Sequence, residues 1–194
     1  MKPRNLRIAT NAIRVALTVL CLICTVNLVA QARPSQYEVK AAYLFNFGKF
    51  AQWPTRMQQS RPPTFDICIL GPDLMGQALD RLTAKEQIDG RPVRVLRVKK
   101  DEDARSCAVA FVNGSDGNEI NSELTALSGA NVLTVGDQSE FLKRGGMIQF
   151  ILQSNHVRFA VNLDAVNREH IVLSSELLKV AYSVSGTPVQ EPRP

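Results

Sequence analysis

Histidine is nearly missing from this chain: two in 194 residues, His156 and His170. The first falls in a predicted turn, the second in a polar stretch. Neither belongs to a metal-spaced cluster such as HExxH. No GxSxG elbow, Walker loop or GxGxxG fingerprint occurs either. Asp164 and Glu169 are the nearest approach to a carboxylate pair, and nothing sets a second functional group beside them. Gly71-Pro72-Asp73 is the nearest approach to a phosphate loop, but Asp73 reads as a helix cap whose charge repels an anion. These absences leave no catalytic residue, no metal site and no cofactor to nominate.

The chain also lacks a hydrophobic run of membrane-spanning length. The apolar stretch from Val15 to Ala30 carries Asn27 and falls short of the roughly 20 residues a spanning helix needs. It follows Lys2, Arg4, Arg7 and Arg14, and it ends in Ala30-Gln31-Ala32. A basic start, a short apolar centre and a small-x-small site make a secretory signal, with cleavage expected after Ala32. Leu20 before Cys21 and Ile23 before Cys24 argue against a lipid-modified cysteine.

Export changes the arithmetic of the rest. The whole chain has 23 Lys+Arg against 18 Asp+Glu, and losing the four basic residues named above leaves 19 against 18. A nearly neutral domain offers no electrostatic case for nucleic acid or an anionic membrane. Cys21 and Cys24 leave with the signal, so Cys68 and Cys107 remain. In an oxidising compartment two cysteines most simply form one disulfide, with two buried thiols as the alternative.

Residues 33–194 have the length of one domain. A helix is predicted from Gln36 to about Gln52, stopped by Pro54. It is apolar almost all round, as a central core helix is. Its narrow polar stripe of Glu38, Lys49 and Gln52 includes Phe45, which makes Phe45 a candidate for exposure. Phe65 to Leu70 reads as a strand and Asp73 to Thr83 as a helix. Gln87-Ile88 and Arg91 to Val98 flank the hairpin signal Asp89-Gly90. A short strand from Ala108 to Val112 leads to an amphipathic helix, Asn118 to Leu127. Next come a strand from Asn131 to Val135 and a short helix around Ser139 to Lys143. Met147 to Gln153 and Val157 to Leu163 form a hairpin across Ser154-Asn155-His156. A last helix runs from about Ser174 to Ser183, and the tail is loose from about Gly186. Strands alternating with helices predict a single α/β sandwich with a mostly parallel sheet, which the late hairpin makes mixed. Arg158 and Arg168 lie in or just after that hairpin. Each is a candidate partner contact or an internal ion pair.

Several stretches carry a resemblance. Tyr37-Glu38-Val39-Lys40-Ala41-Ala42-Tyr43-Leu44-Phe45-Asn46-Phe47-Gly48-Lys49-Phe50 with Trp53-Pro54 resembles the opening of YfiR-family proteins. The strand Ile67-Cys68-Ile69-Leu70-Gly71 is similar, as is Gly145-Gly146-Met147-Ile148. So are the run from Val157 to Ala165 and the segment from Ser174 to Ala181. The resemblance implies a periplasmic repressor, not an enzyme. Its partner would be the periplasmic sensor portion of an inner-membrane diguanylate cyclase of the YfiN type. An OmpA-like outer-membrane lipoprotein of the YfiB type would sequester it, and cyclic di-GMP and biofilm formation would then rise. A homodimer is a further candidate assembly. The resemblance also implies a Cys68–Cys107 disulfide and a partner surface around Phe159, Leu163, Val166 and Arg168. It departs in one respect: the second cysteine pair that family members carry around the Gly145–Gln149 turn is missing, so redox control through that pair has no counterpart. A small-ligand-binding sensor module is the alternative, because open α/β sheets bind ligands at strand carboxyl ends.

Overall fold

The computed structural model describes residues 34–54, 62–99 and 101–187. The predicted signal, residues 1–32, and the last seven residues of the tail lie outside them.

Helix α1 (Gln36–Lys49) starts at Ser35. The Ser35 hydroxyl accepts from the Glu38 N–H, and the Glu38 carboxylate accepts from the Ser35 N–H. This reciprocal pair is a capping box. The helix ends at Lys49, earlier than the sequence predicts, and leads into the two-residue strand β1 (Ala51–Gln52). The main sheet follows. Its strands are β2 (Phe65–Leu70), β3 (Gln87–Ile88), β4 (Arg91–Val98), β5 (Val109–Val112), β6 (Leu133–Gly136), β7 (Ile148–Gln153), β8 (His156–Asn162) and β10 (Ser183–Ser185). Between them lie α2 (Gln77–Thr83), α3 (Asp101–Ala104), α4 (Gly117–Leu127), α5 (Leu163–Arg168) and α6 (Ser175–Val180). Strand β9 (Val172–Leu173) pairs with β1 in a separate antiparallel ribbon.

The spatial order is β10-β8-β7-β6-β5-β2-β4-β3. Contacts from β4 across to β7 are all parallel, whereas the β7–β8 and β3–β4 pairs are antiparallel. The sheet is therefore mostly parallel and mixed, as the element pattern predicts. Within it, β4-β2-β5-β6-β7 follows the doubly wound order in which the first strand lies between the second and third.

Strand alternation divides the core between two layers. Phe65, Ile67 and Ile69 of β2, with Val109 and Phe111 of β5, pack under α1. Cys68, Leu70, Ala110 and Val112 face the other way, against Ala104, Ile120 and Leu127 from α3 and α4. The rings of Tyr43 and Phe47 on α1 lie 5.9 Å apart, and each packs against Phe150 and Phe159 of the sheet at 5.0–6.2 Å. Lys40, buried on α1, donates to Asp137 beyond β6 at 2.8 Å. Cys68 and Cys107 form a disulfide with their Cα atoms 6.1 Å apart, tying β2 to the turn before β5.

Four local expectations need correction. Phe45 is buried, and the Lys49 ammonium lies 5.1 Å from its ring centre. A cation over an aromatic face lets a polar stripe cover a buried ring. Residues 139–145 form consecutive turns rather than a helix. Glu140 adopts a left-handed φ of 67°, which a right-handed helix cannot continue. The turns carry the fully buried Phe141, whose ring fills the place a Cβ would take on Gly146. Finally, the last helix stops at Val180, and the chain continues as β10 beside β8. The hairpin turn is also tighter than predicted: Ser154 and Asn155 alone span it, both left-handed, as a type I′ turn requires.

Candidate functional site

The doubly wound order makes the carboxyl ends of β2 and β5 the first place to look for a ligand site. That crevice is filled by the chain itself. The Asn113 N–H donates to the Leu70 carbonyl, and the Asn113 amide donates to the Pro72 carbonyl at 2.6 Å. The Gln138 amide donates to both Asn113 Oδ1 and the Gly114 carbonyl at 2.9 Å. Gly71 sits at φ 79°, and the Asn113 carbonyl occupies the space its Cβ would need. A side chain at this position meets both penalties. Gly71→Ala is therefore expected to destabilise the fold by about 2 kcal/mol or more, measured by urea unfolding.

Asp73 follows this turn but does not begin α2. One of its carboxylate oxygens accepts from the Met75 and Gly76 N–H groups, and the other accepts from Arg97. Burial alone would raise its pKa, but these donors outweigh burial and hold the carboxyl below its usual range. The cap role expected for Asp73 is thus filled one turn before the helix. A cavity of about 430 Å³ lies alongside, between the ends of β2 and β4 and the Glu119–Glu123 face of α4.

The residues nominated from sequence gather on β8 and α5. Phe159 is fully buried, Leu163 is 5% exposed and Val166 1%. Their side chains belong to the core under α1 and present almost nothing to a partner. Arg168 is exposed, and so is Arg158. Neither is joined to another described residue by an ion pair or hydrogen bond, so the internal pairing considered from sequence is not formed among them. Asn162 caps α5 through the Ala165 N–H. The Glu169 carboxylate, just beyond the helix, accepts from the Gly129 and Asn131 N–H groups at 2.8 and 2.7 Å. Those bonds lock the end of α5 to the loop after α4. His156 and His170 are both exposed. Among the described residues, no three His, Cys, Asp or Glu side chains are grouped to hold a metal, and no helix is long and apolar enough to cross a membrane.

The sequence gives no hint of a second cavity, of about 230 Å³, between the end of α4, strand β6 and α5. Arg144 and Arg168 both line it. Arg144 lies just beyond the short helix that the sequence predicts around Ser139 to Lys143, so nothing local connects it to α5.

Two solved structures share the fold. One is a conserved domain protein from Vibrio cholerae O1 biovar El Tor strain N16961, 13% identical, with TM-score 0.52, covering 78% of this chain and 60% of its own. The other is an ABC domain from Streptococcus pneumonia, solved in complex with L-Trp. It is 11% identical, with TM-score 0.51, covering 75% of this chain and 60% of its own. This chain thus spans about 60% of the length of each. At these identities the likeness is one of fold alone. No curated protein matches the chain. The family model DUF4154, described as YfiR/HmsC-like, matches residues 37–182, from the first turn of α1 to the residue before β10. The chain therefore belongs to the YfiR/HmsC-like family.

Proposed function

We propose that this protein is a non-catalytic periplasmic regulator of cyclic di-GMP signalling. On this reading residues 1–32 export it and are removed. The remaining domain binds the periplasmic sensor portion of an inner-membrane diguanylate cyclase and represses it. An OmpA-like outer-membrane lipoprotein competes for the same domain and relieves repression, which favours biofilm formation. The family match over residues 37–182 carries the proposal. The disulfide suits an oxidising compartment.

Repression of this kind is a population shift. The protein must bind the inactive cyclase more tightly than the active one, and a switch from 1:99 to 99:1 needs about 10⁴-fold preference. The surface proposed for docking is α5 and the strand before it. Phe159, Leu163 and Val166 hold it from beneath, and Arg168 projects from it. A guanidinium without an internal partner is available for a carboxylate on the cyclase. The purified domain is expected to bind the isolated sensor portion of the cognate cyclase, and Arg168→Glu to weaken binding at least tenfold. Arg168→Glu binding as tightly as wild type in calorimetry would move the surface elsewhere.

A small-ligand sensor is the second reading. It is favoured by the cavity of about 430 Å³ at the carboxyl ends of β2 and β4. The similar Streptococcus pneumonia domain was solved with L-Trp, which makes an amino acid a reasonable first probe. Saturable L-Trp binding together with failure to bind any cyclase sensor portion would favour this reading over repression.

A further inference from the structure

The cavity between α4, β6 and α5 combines an apolar floor with a cationic rim. Leu127, Val132, Met147 and Ala165 contribute apolar surface, and Arg144 and Arg168 stand at its edge. Arg144 is held in place from α4. Its Nη1 donates to the Gly117 carbonyl and to Asn121 Oδ1, both at 3.2 Å. Its Nε and Nη2 donate to nothing among the described residues, and no group of Arg168 does. The one carboxylate in the lining, that of Glu169, is already bound by the Gly129 and Asn131 N–H groups. Among the lining residues the rim therefore has two guanidinium groups with unused donors against one carboxylate already bound by backbone N–H groups; the Asp116 carboxylate, outside the lining, is within electrostatic reach of Arg144.

We propose that this cavity binds a small organic carboxylate with an apolar body. The acid group would bridge the Arg144 and Arg168 guanidinium groups, and the body would lie on Leu127, Val132 and Met147. Guanidinium donors match a carboxylate in geometry as well as charge. The cavity, about 230 Å³, is smaller than the roughly 300–1,000 Å³ of pockets for drug-sized ligands, which limits the body to one ring or a short chain. The proposal goes beyond the repressor reading and does not depend on it. Arg144 lies outside the docking surface, so its variants separate the two.

The test is titration of the purified, signal-free protein with 3-phenylpropionate and its neutral amide, followed by calorimetry and by backbone amide NMR shifts. The acid is expected to bind and to shift residues 124–134 and 144–147, with the amide at least tenfold weaker. Arg144→Gln and Arg168→Gln are each expected to weaken the acid at least tenfold. Thr125→Phe, placed on the exposed face of α4 at the mouth, is expected to abolish binding while the rest of the spectrum stays folded. Equal affinity for acid and amide would overturn the proposal. So would shifts confined to other regions, or wild-type affinity in both arginine variants.

Discussion

Replacing Cys68 and Cys107 together by alanine is expected to lower the unfolding free energy by about 4 kcal/mol. The two residues are 39 apart in sequence. The bond therefore closes a loop that contains α2, the β3–β4 hairpin and α3. In the chain-entropy model, a loop of that length removes about 4 kcal/mol of disorder from the unfolded state. Native disulfides typically contribute 2–5 kcal/mol in small secreted domains. Both sulfurs are fully buried in the layer under α3 and α4. Urea unfolding of the oxidised, reduced and double-alanine proteins measures the difference. A free-thiol assay on denatured, unreduced protein should find none. Two reactive thiols, or a double variant within 1 kcal/mol of wild type, would contradict the role given to this bond.

Phe159→Ala should cost about 3–5 kcal/mol, the range for removing a buried ring from a packed core. Phe159 is fully buried, with the Phe47 ring 5.0 Å away and the Tyr43 ring 5.4 Å away. No neighbour collapses easily into the space, because α1 and β7 are both fixed by the sheet. The variant matters for function as well, because Phe159 lies in the stretch the family resemblance links to partner binding. Lost binding in Phe159→Ala would follow lost folding. Arg168→Glu, an exposed change, should move stability by no more than about 0.5 kcal/mol while weakening the partner. Thermal unfolding of both variants, read beside binding, separates the two routes. A stable Phe159→Ala domain that fails to bind would show that the ring reaches the partner after all.

Strands with a strong local pattern were legible in the sequence. Phe65 to Leu70 is apolar on both faces except at Asp66, which pairs with Arg94, and both faces are covered. Asp89-Gly90 sets the hairpin between β3 and β4. The pairing of Cys68 with Cys107 followed from compartment and number. Features fixed by distant parts of the chain were not legible. Ser183-Val184-Ser185 has little strand character of its own. It becomes β10 because β8 leaves an open edge with which it can pair, Ser183 lying opposite Ala160. Phe45 belongs to the core on which α1 packs, and Lys49 of its own helix lies over the ring. Residues 139–145 stay in turns that let Phe141 reach the core layer under α3 and α4, against Gly136 and Gly146. The surface proposed for docking is defined by segment and not by side chain. Within the run from Val157 to Arg168, Phe159, Leu163 and Val166 turn into the core and Arg168 turns outward, and the resemblance names all four without separating them. The second arginine of the α4–α5 cavity, Arg144, could be found only once the sheet had brought it beside α5.

The repressor reading stands or falls on the cellular level of cyclic di-GMP. The measurement compares a strain lacking this gene with the same strain carrying the wild-type gene or Arg168→Glu, all producing folded protein at equal levels. Cyclic di-GMP and surface attachment should rise on deletion, return to the starting level with the wild-type gene, and stay raised with Arg168→Glu. No change in either quantity on deletion would contradict repression.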